Sequence, residues 1–245
     1  MKRTDDIKLF LIKSGLVSEV IGDLKIRQNA RFLLTTWAHN KPKDYLAFYI
    51  LVVKLLENRF GIKCSLKIII NDTLPKIIEE RTDKEQEKIS ELYSYFFKQL
   101  GFNDFEIFSK HKRYELSFRK FLSWSKNLNL VIFLKRYLPE SRIINMSSSS
   151  GTLIKEIYHL FSEINIYAIS NAEMVLGGIG SWGSVIAYKE MSPKLKLPKR
   201  TFILLPKSKN FFEETSKLKS LGDKDYKNIC SQIEEAIKLM REKNY

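Results

Sequence analysis

The sequence predicts an α/β fold: a doubly wound parallel sheet with flanking helices and a helical insertion, in one domain spanning residues 1–245. Three observations predict it. Short apolar runs at Arg31–Thr35, Leu66–Ile70, Phe105–Phe108, Met174–Gly178 and Thr201–Leu205 read as buried strands. Segments with apolar residues at three- and four-residue spacing lie between them. Strand, loop, helix and strand follow one another within about 40 residues from Arg31 to Ile70, the pattern of a parallel crossover unit, for which a right-handed connection is expected.

Asp6–Val20 reads as a short helix or two, from Ile7, Leu9, Phe10, Leu11, Leu16 and Val17. After the first parallel strand comes a polar loop, Trp37 to Lys43, and Asp44 is placed to cap a helix Tyr45–Asn58. Gly61 ends that helix. Asp83–Leu100 is an amphipathic helix closed by Gly101, and Lys110–Tyr137 reads as helical and aromatic. Ser147 to Gly151 punctuates the chain. Helices are then expected at Thr152–Ile164 and Ser184–Met191, with a C-terminal one at about 224–243 and the helical insertion at about 110–150.

Composition bounds the function. Hydrophobic residues make up 44% of the 245, with 16 Phe and 11 Tyr, enough for a sizeable core. Forty-two Lys and Arg oppose 28 Asp and Glu, so the formal net charge is +14. Such a surplus repels itself unless a polyanion offsets it, and nucleic acid is the commonest such partner. The two cysteines, Cys64 and Cys230, have no metal-ligand spacing, and no metal site is expected. Early acids and the lack of a long apolar stretch argue against a secretory leader, and no run is long enough to span a membrane. A cytoplasmic protein is the expectation.

Several segments, taken in order, resemble the Rossmann-like (HUP-type) catalytic core of class I aminoacyl-tRNA synthetases, in the tyrosyl and tryptophanyl branch. Ala30-Arg31-Phe32-Leu33 sits where the family's first strand leads into its signature loop, and Tyr45-Leu46 where its helix begins. Ile68-Ile69-Ile70-Asn71-Asp72 resembles the second strand, and Leu92 to Gly101 the helix that ends in Leu-Gly. Ile157-Tyr158, Ile164-Asn165-Ile166 and Val175-Leu176-Gly177-Gly178 fall at the spacing of the family's amino-acid pocket and Gly-Gly turn. The resemblance covers roughly residues 25 to 215; no anticodon-binding domain is expected to follow.

The departures matter as much. Where the family has His-x-Gly-His at a helix N-terminus, to take ATP phosphates, this chain reads Lys41-Pro42-Lys43-Asp44. A lysine there fills the adenine site and Asp44 repels phosphate; His39 lies nearby at the wrong spacing. The family's mobile Lys-Met-Ser-Lys-Ser loop has only Pro206-Lys207-Ser208-Lys209-Asn210 as an echo. Within the implied pocket Tyr158 is retained, Ser162 and Asn165 stand in place of Gln and Asp, and Glu173 replaces an Asp ahead of Gly177-Gly178. Gly180-Ser181 replaces an acid-Gln pair. Ser and neutral Asn do not anchor an ammonium as a carboxylate does, so standard amino-acid activation is not expected.

Each remaining candidate has a plain structural alternative. Gly177, Gly178, Gly180 and Gly183 either cradle a phosphate or ribose or only permit a tight turn. Trp37 and His39 either stack on a base or pack in their loop. Asp72 is a crevice residue or a helix cap, and Thr35 lies at the end of the first parallel strand. Lys194, Lys196, Lys199 and Arg200, with Lys41, Lys43, Lys207 and Lys209, track an RNA backbone or face solvent; Lys110, Lys112 and Arg113 form a second patch. The aromatic set Tyr93, Phe96, Phe97, Phe118, Phe121 and Trp124 implies core packing, or the subunit interface that the family builds here and hence a homodimer.

The leading expectation is a synthetase-like paralogue that binds tRNA or an aminoacyl-tRNA end without making an adenylate. No cofactor is required by these residues; ATP or another adenine nucleotide is the one the fold would admit. One alternative is an aminoacyl-tRNA-dependent transferase resembling cyclodipeptide synthases, which use a serine where this chain offers Thr35 and Thr36. The other is a nucleotide binder of the wider nucleotidyltransferase superfamily.

Overall fold

The computed structural model describes residues 2–13, 15–24, 26, 28–38, 45–78, 80–110, 118–125 and 151–205, with helical positions 227, 228, 230–232, 234, 235 and 238. The chain opens with α1 (Lys2–Lys13), β1 (Glu19–Ile21), β2 (Asn29–Trp37), α2 (Tyr45–Phe60), β3 (Lys63–Asn71) and α3 (Thr73–Ile78). Then come α4 (Asp83–Gln99), β4 (Phe105–Ile107), a 3₁₀ turn (Phe108–Lys110) and α5 (Phe118–Ser125). The second half holds α6 (Gly151–Ile169), β5 (Met174–Gly178), another 3₁₀ turn (Ile179–Ser181), α7 (Trp182–Leu195) and β6 (Thr201–Leu205).

Six strands form one sheet in the order β1-β6-β5-β2-β3-β4. Five run parallel, and β1 lies antiparallel on β6. The sequence pattern had put Val20 at the end of a helix. Instead α1 stops at Lys13, and Gly15 turns the chain at φ 73°. That left-handed conformation suits a residue without Cβ. Ser18 N then donates to Leu204 O at 2.8 Å, and the chain joins the sheet edge.

Side chains alternate across the parallel strands, so the sheet has two buried faces. Phe32, Leu34, Ile68, Ile70, Met174, Leu176, Ile203 and Leu205 form one core with α1, α2, α4 and Cys230. Leu33, Ile69, Val175, Phe202 and Leu204 join the other, with α6 and α7. Each fully buried aliphatic or aromatic side chain contributes about 1.5–3 kcal/mol. Both layers are needed to cover a sheet that is apolar on both sides.

The helix ends follow local chemistry. Gly101, at φ 81°, closes α4: its N–H bonds Lys98 O at 2.9 Å while Phe102 N reaches Phe97 O at 2.9 Å. Helix α7 outruns its expected end because Ser192 Oγ takes the Lys189 carbonyl, at 3.4 Å, for which Pro193 has no N–H. The expected helical insertion lies outside the described residues except for its start and α5. The described positions between 227 and 238 are helical; the rest of the expected C-terminal helix lies outside the described residues. Among the described residues no helix is long and apolar enough to cross a membrane.

Candidate functional site

From β2 the chain adds β3 and β4 outward on one side, then returns to lay down β5 and β6 on the other. The reversal falls between β2 and β5. In open α/β sheets the crevice beyond the carboxyl ends of such a pair is where ligands sit. Trp37 ends β2, Asn71 ends β3 and Gly178 ends β5, so these three residues frame the crevice from the sheet side.

Helix α6 covers that end of the sheet. Leu33, Thr35 and Trp37 share one face of β2, and Ile69 and Asn71 share the same face of β3. Opposite them, His159, Ser162, Glu163 and Tyr167 recur on α6 at three- and four-residue spacing. Contacts join the two rows. Trp37 Nε1 donates to Glu163 Oε1 at 2.8 Å, and its ring meets the His159 ring edge-on with centroids 4.2 Å apart. Tyr167 donates its hydroxyl to Glu163 Oε2 at 2.5 Å. Asn71 Nδ2 donates to Ser162 Oγ at 3.3 Å, and that hydroxyl donates to His159 O at 2.9 Å.

Burial pushes the Tyr167 hydroxyl well above its ordinary pKa, the Glu163 charge adds to this, and a hydrogen bond with Ser181 opposes it. Tyr49 of α2 completes the polar lining at the switch point. A Cβ on Gly178 would sit 2.9 Å from the Tyr49 hydroxyl, so glycine is what lets that side chain reach β5. Gly177 is less constrained, its nearest neighbour being Leu204 Cδ2 at 3.6 Å from the Cβ position. Thr35 and Thr36 bury their hydroxyl oxygens at the end of β2, without a hydrogen-bond partner among the described residues.

The expected site residues divide into groups. Trp37, Thr35, Ser162, Gly177 and Gly178 gather at the switch point. Asn165 is fully buried on α6 and donates through Nδ2 to Phe161 O at 3.1 Å, while Tyr158 is half-buried beside the Phe161 ring. Asp72 accepts from Ser109 N at 2.9 Å and from Ser109 Oγ, so its carboxylate ties down the turn after β4.

Glu173 is not in the crevice. It precedes β5, at the amino-terminal edge of the sheet, and pairs with Arg31 at 3.3 Å in an exposed position. Five residue steps along the strand, at about 3.3 Å each, separate it from Gly178. The basic stretch lies at that same amino-terminal edge, between the end of α7 and the start of β6. Lys194, Lys196 and Lys199 are exposed there. Arg200 is different: Nε donates to Tyr167 O at 3.0 Å and Nη2 donates to Ser170 O, so it fastens the end of α6. Lys110 pairs with Glu87 at 3.5 Å. His39, Lys41, Lys43, Lys112, Arg113, Lys207 and Lys209 lie outside the described residues.

Sequence reasoning missed Glu163, Tyr167, Asn71 and Tyr49. The available signal was a single acid inside the mostly apolar run Ile157 to Ile169, where a solvated glutamate would be out of place. Among the described residues no group of three or more His, Cys, Asp or Glu could hold a metal ion.

Strand order and switch point together define a Rossmann-like α/β domain, and solved structures narrow the class. The chain is similar to tyrosyl-tRNA synthetase from Archaeoglobus fulgidus, with TM-score 0.60 and 15% identity over 84% of this chain and 65% of that one. Tryptophanyl-tRNA synthetase from Plasmodium falciparum gives TM-score 0.60 and 12% identity over 84% and 59%. The tryptophanyl enzyme of Aeropyrum pernix gives 0.58 and 12% over 84% and 59%. The chain thus has the fold of the class I tyrosyl and tryptophanyl synthetase core, and spans 59–65% of the length of these structures. No protein-family model matches the sequence, and no curated protein matches it significantly.

Proposed function

We propose that this chain is a synthetase-like protein that binds tRNA or an aminoacyl-tRNA end without activating an amino acid. One observation carries the reading: a synthetase-type switch-point crevice, with α2 entered through Lys41-Pro42-Lys43-Asp44 instead of a glycine-bearing turn. A helix N-terminus attracts phosphate through its free N–H groups and dipole. In the sequence Asp44 brings a negative charge directly before α2, and Lys43 stands at the position where the resembled family has glycine. The net charge of +14 and the exposed Lys194, Lys196 and Lys199 support a polyanionic partner.

The test is binding of charged and uncharged bulk tRNA across a salt series, with and without ATP, alongside pyrophosphate exchange with each amino acid. Salt-sensitive binding indifferent to ATP, with no exchange, is the expected result. Exchange with any amino acid would overturn the reading, as would saturable ATP binding with no tRNA binding. A second reading, transfer of the aminoacyl group to an acceptor, draws on the buried hydroxyls of Thr35 and Thr36, which have no partner among the described residues. Formation of an amide product from charged tRNA would establish it, and its absence would remove it.

A further inference from the structure

β4 covers only part of the outer side of β3. It pairs with Ile68–Ile70, and Ile68 N donates outward to Asp104 O at 2.9 Å. At the start of β3, Lys63 N donates the other way, to Gln28 O just before β2, at 2.9 Å. In a parallel ladder the N–H and C=O of one residue point to the same side, and successive residues alternate. Cys64 and Leu66 therefore turn their N–H and C=O outward, where no strand pairs with them among the described residues. The side chains of this stretch divide between two faces. On one face Lys63 and Ser65 are exposed and Lys67 is half-buried. On the other, Cys64 is half-buried and Leu66 buried, towards the core against which Phe102 packs. Lys67 pairs with Glu106 at 2.9 Å, and Lys54 of α2 with Glu57 at 3.3 Å. Lys63 has no acid partner among the described residues.

We propose that Lys63–Lys67 is a docking edge for an extended acidic segment of another protein, which adds to β3 as an antiparallel strand. An open row of N–H and C=O groups is a template for such a strand. Antiparallel addition makes Cys64 and Leu66 the hydrogen-bonded positions. Charge sets the direction. The segment ends at Lys63, where an acid near its carboxyl end meets the unpaired cation, and begins near Asp104, which is exposed. Residues directly opposite each other have Cβ atoms about 4.5–5.5 Å apart, so an acid facing Lys63 is within reach of its ammonium. Apolar residues of the segment fall beside Cys64 and Leu66, on the face of Phe102. A second copy of this chain does not suit the edge: pairing two copies about Ser65 sets Lys63 against the other copy's Lys67, and like charges oppose. The net charge of +14 favours an acidic partner in the same sense. The open stretch lies in the amino-terminal half of β3, away from the crevice, so the inference does not rest on the proposed function.

The first measurement is amide hydrogen exchange of the chain alone, read by NMR. Cys64 and Leu66 are expected to exchange far faster than Ser65 and Lys67, whose N–H groups face β2. Protection of Cys64 and Leu66 would mean that the edge is already covered, and protection that rises with protein concentration would assign the cover to a second copy; either overturns the proposal. The probe is then the peptide acetyl-Thr-Val-Thr-Val-Glu-amide, which sets its Glu against Lys63 and its valines against Leu66 and Cys64. It is expected to slow exchange at Cys64 and Leu66 saturably. A twin with both valines N-methylated loses the donors to Cys64 O and Leu66 O, and is expected to bind about tenfold or more weakly. A twin with Lys in place of Glu is expected to bind about threefold more weakly, and Lys63→Glu to reverse that preference. Cys64→Pro removes an outward N–H at a sheet edge, where proline is tolerated, and is expected to abolish the slowing at Leu66. If Cys64→Pro does not fold, as judged by circular dichroism and Tm, the peptide twins and Lys63→Glu decide. No slowing by the probe, or equal binding of either twin, overturns the proposal.

Discussion

The Tyr49 hydroxyl approaches β5 so closely that Gly178 has no room for a Cβ, which would lie 2.9 Å from that oxygen. Gly178→Ala therefore forces a buried tyrosine or the end of β5 to move, and overpacking of this kind costs about 1–3 kcal/mol. Urea denaturation will show the loss as a lower midpoint. Removing the oxygen in the double variant Gly178→Ala/Tyr49→Phe is expected to recover part of it, whereas additive losses would mean that the two groups do not meet. Tyr188 offers a second test at this scale. Burial raises its hydroxyl pKa from 10 to about 12, against the opposing influence of Arg200. The sign follows from the unfolded chain ionising first: the stability Tyr188 gives is full below pH 10 and is lost as pH rises from 10 towards 12. Tyr188→Phe is expected to flatten that alkaline limb, although it also removes the 2.6 Å hydrogen bond to Pro198 O.

Helix α4 carries the best-defined cap of the fold. Thr82 Oγ1 accepts from Glu85 N at 3.3 Å, and the Glu85 carboxylate accepts from Thr82 N at 2.9 Å, a reciprocal capping box. Thr82→Ala is expected to cost about 1 kcal/mol. The Thr82 hydroxyl and then its backbone N–H hold the Glu85 carboxyl below its ordinary pKa of 4.5. The stability from that pairing is present above pH 4.5 and lost as pH falls through the lowered value, so Thr82→Ala should also shallow the acid limb of a Tm–pH profile. Local signals of this kind, and the apolar periodicity of α2 and apolar runs of β2, β3, β5 and β6, were legible because they lie within a few residues of themselves. Strand β1 was not legible, because three residues become a strand only by pairing with β6, at Glu19↔Leu204, Val20↔Ile203 and Ile21↔Phe202. Glu163 failed differently. Its helix was foreseen, but which residues of α6 meet Trp37 depends on the docking of two elements more than a hundred residues apart.

At the scale of the molecule, the exposed lysines and the crevice occupy opposite edges of one sheet. The linear sequence hid this: Glu173 and Gly178 are neighbours in the chain, yet the length of β5 lies between them. The same geometry divides the basic stretch, since Arg200 fastens α6 while Lys194, Lys196 and Lys199 face water. Replacing those three lysines by glutamine is expected to weaken RNA binding uniformly across sequences. It should also reduce the slope of log K against log salt by up to about 3, roughly one for each lost phosphate contact. An unchanged slope in a filter-binding salt series would assign the contacts to other cations.

The borders of the sheet carry one more consequence. β1 and β4, the outermost strands, are three residues each, whereas β2 and β3 at the centre pair over nine. β4 pairs with Ile68–Ile70 alone, so the outer backbone of Lys63–Lys67 in β3 has no strand partner among the described residues. An incoming strand would find open backbone there, and the exposed charge of Lys63 at the start of that stretch opposes such pairing with a second, equally basic copy of this chain.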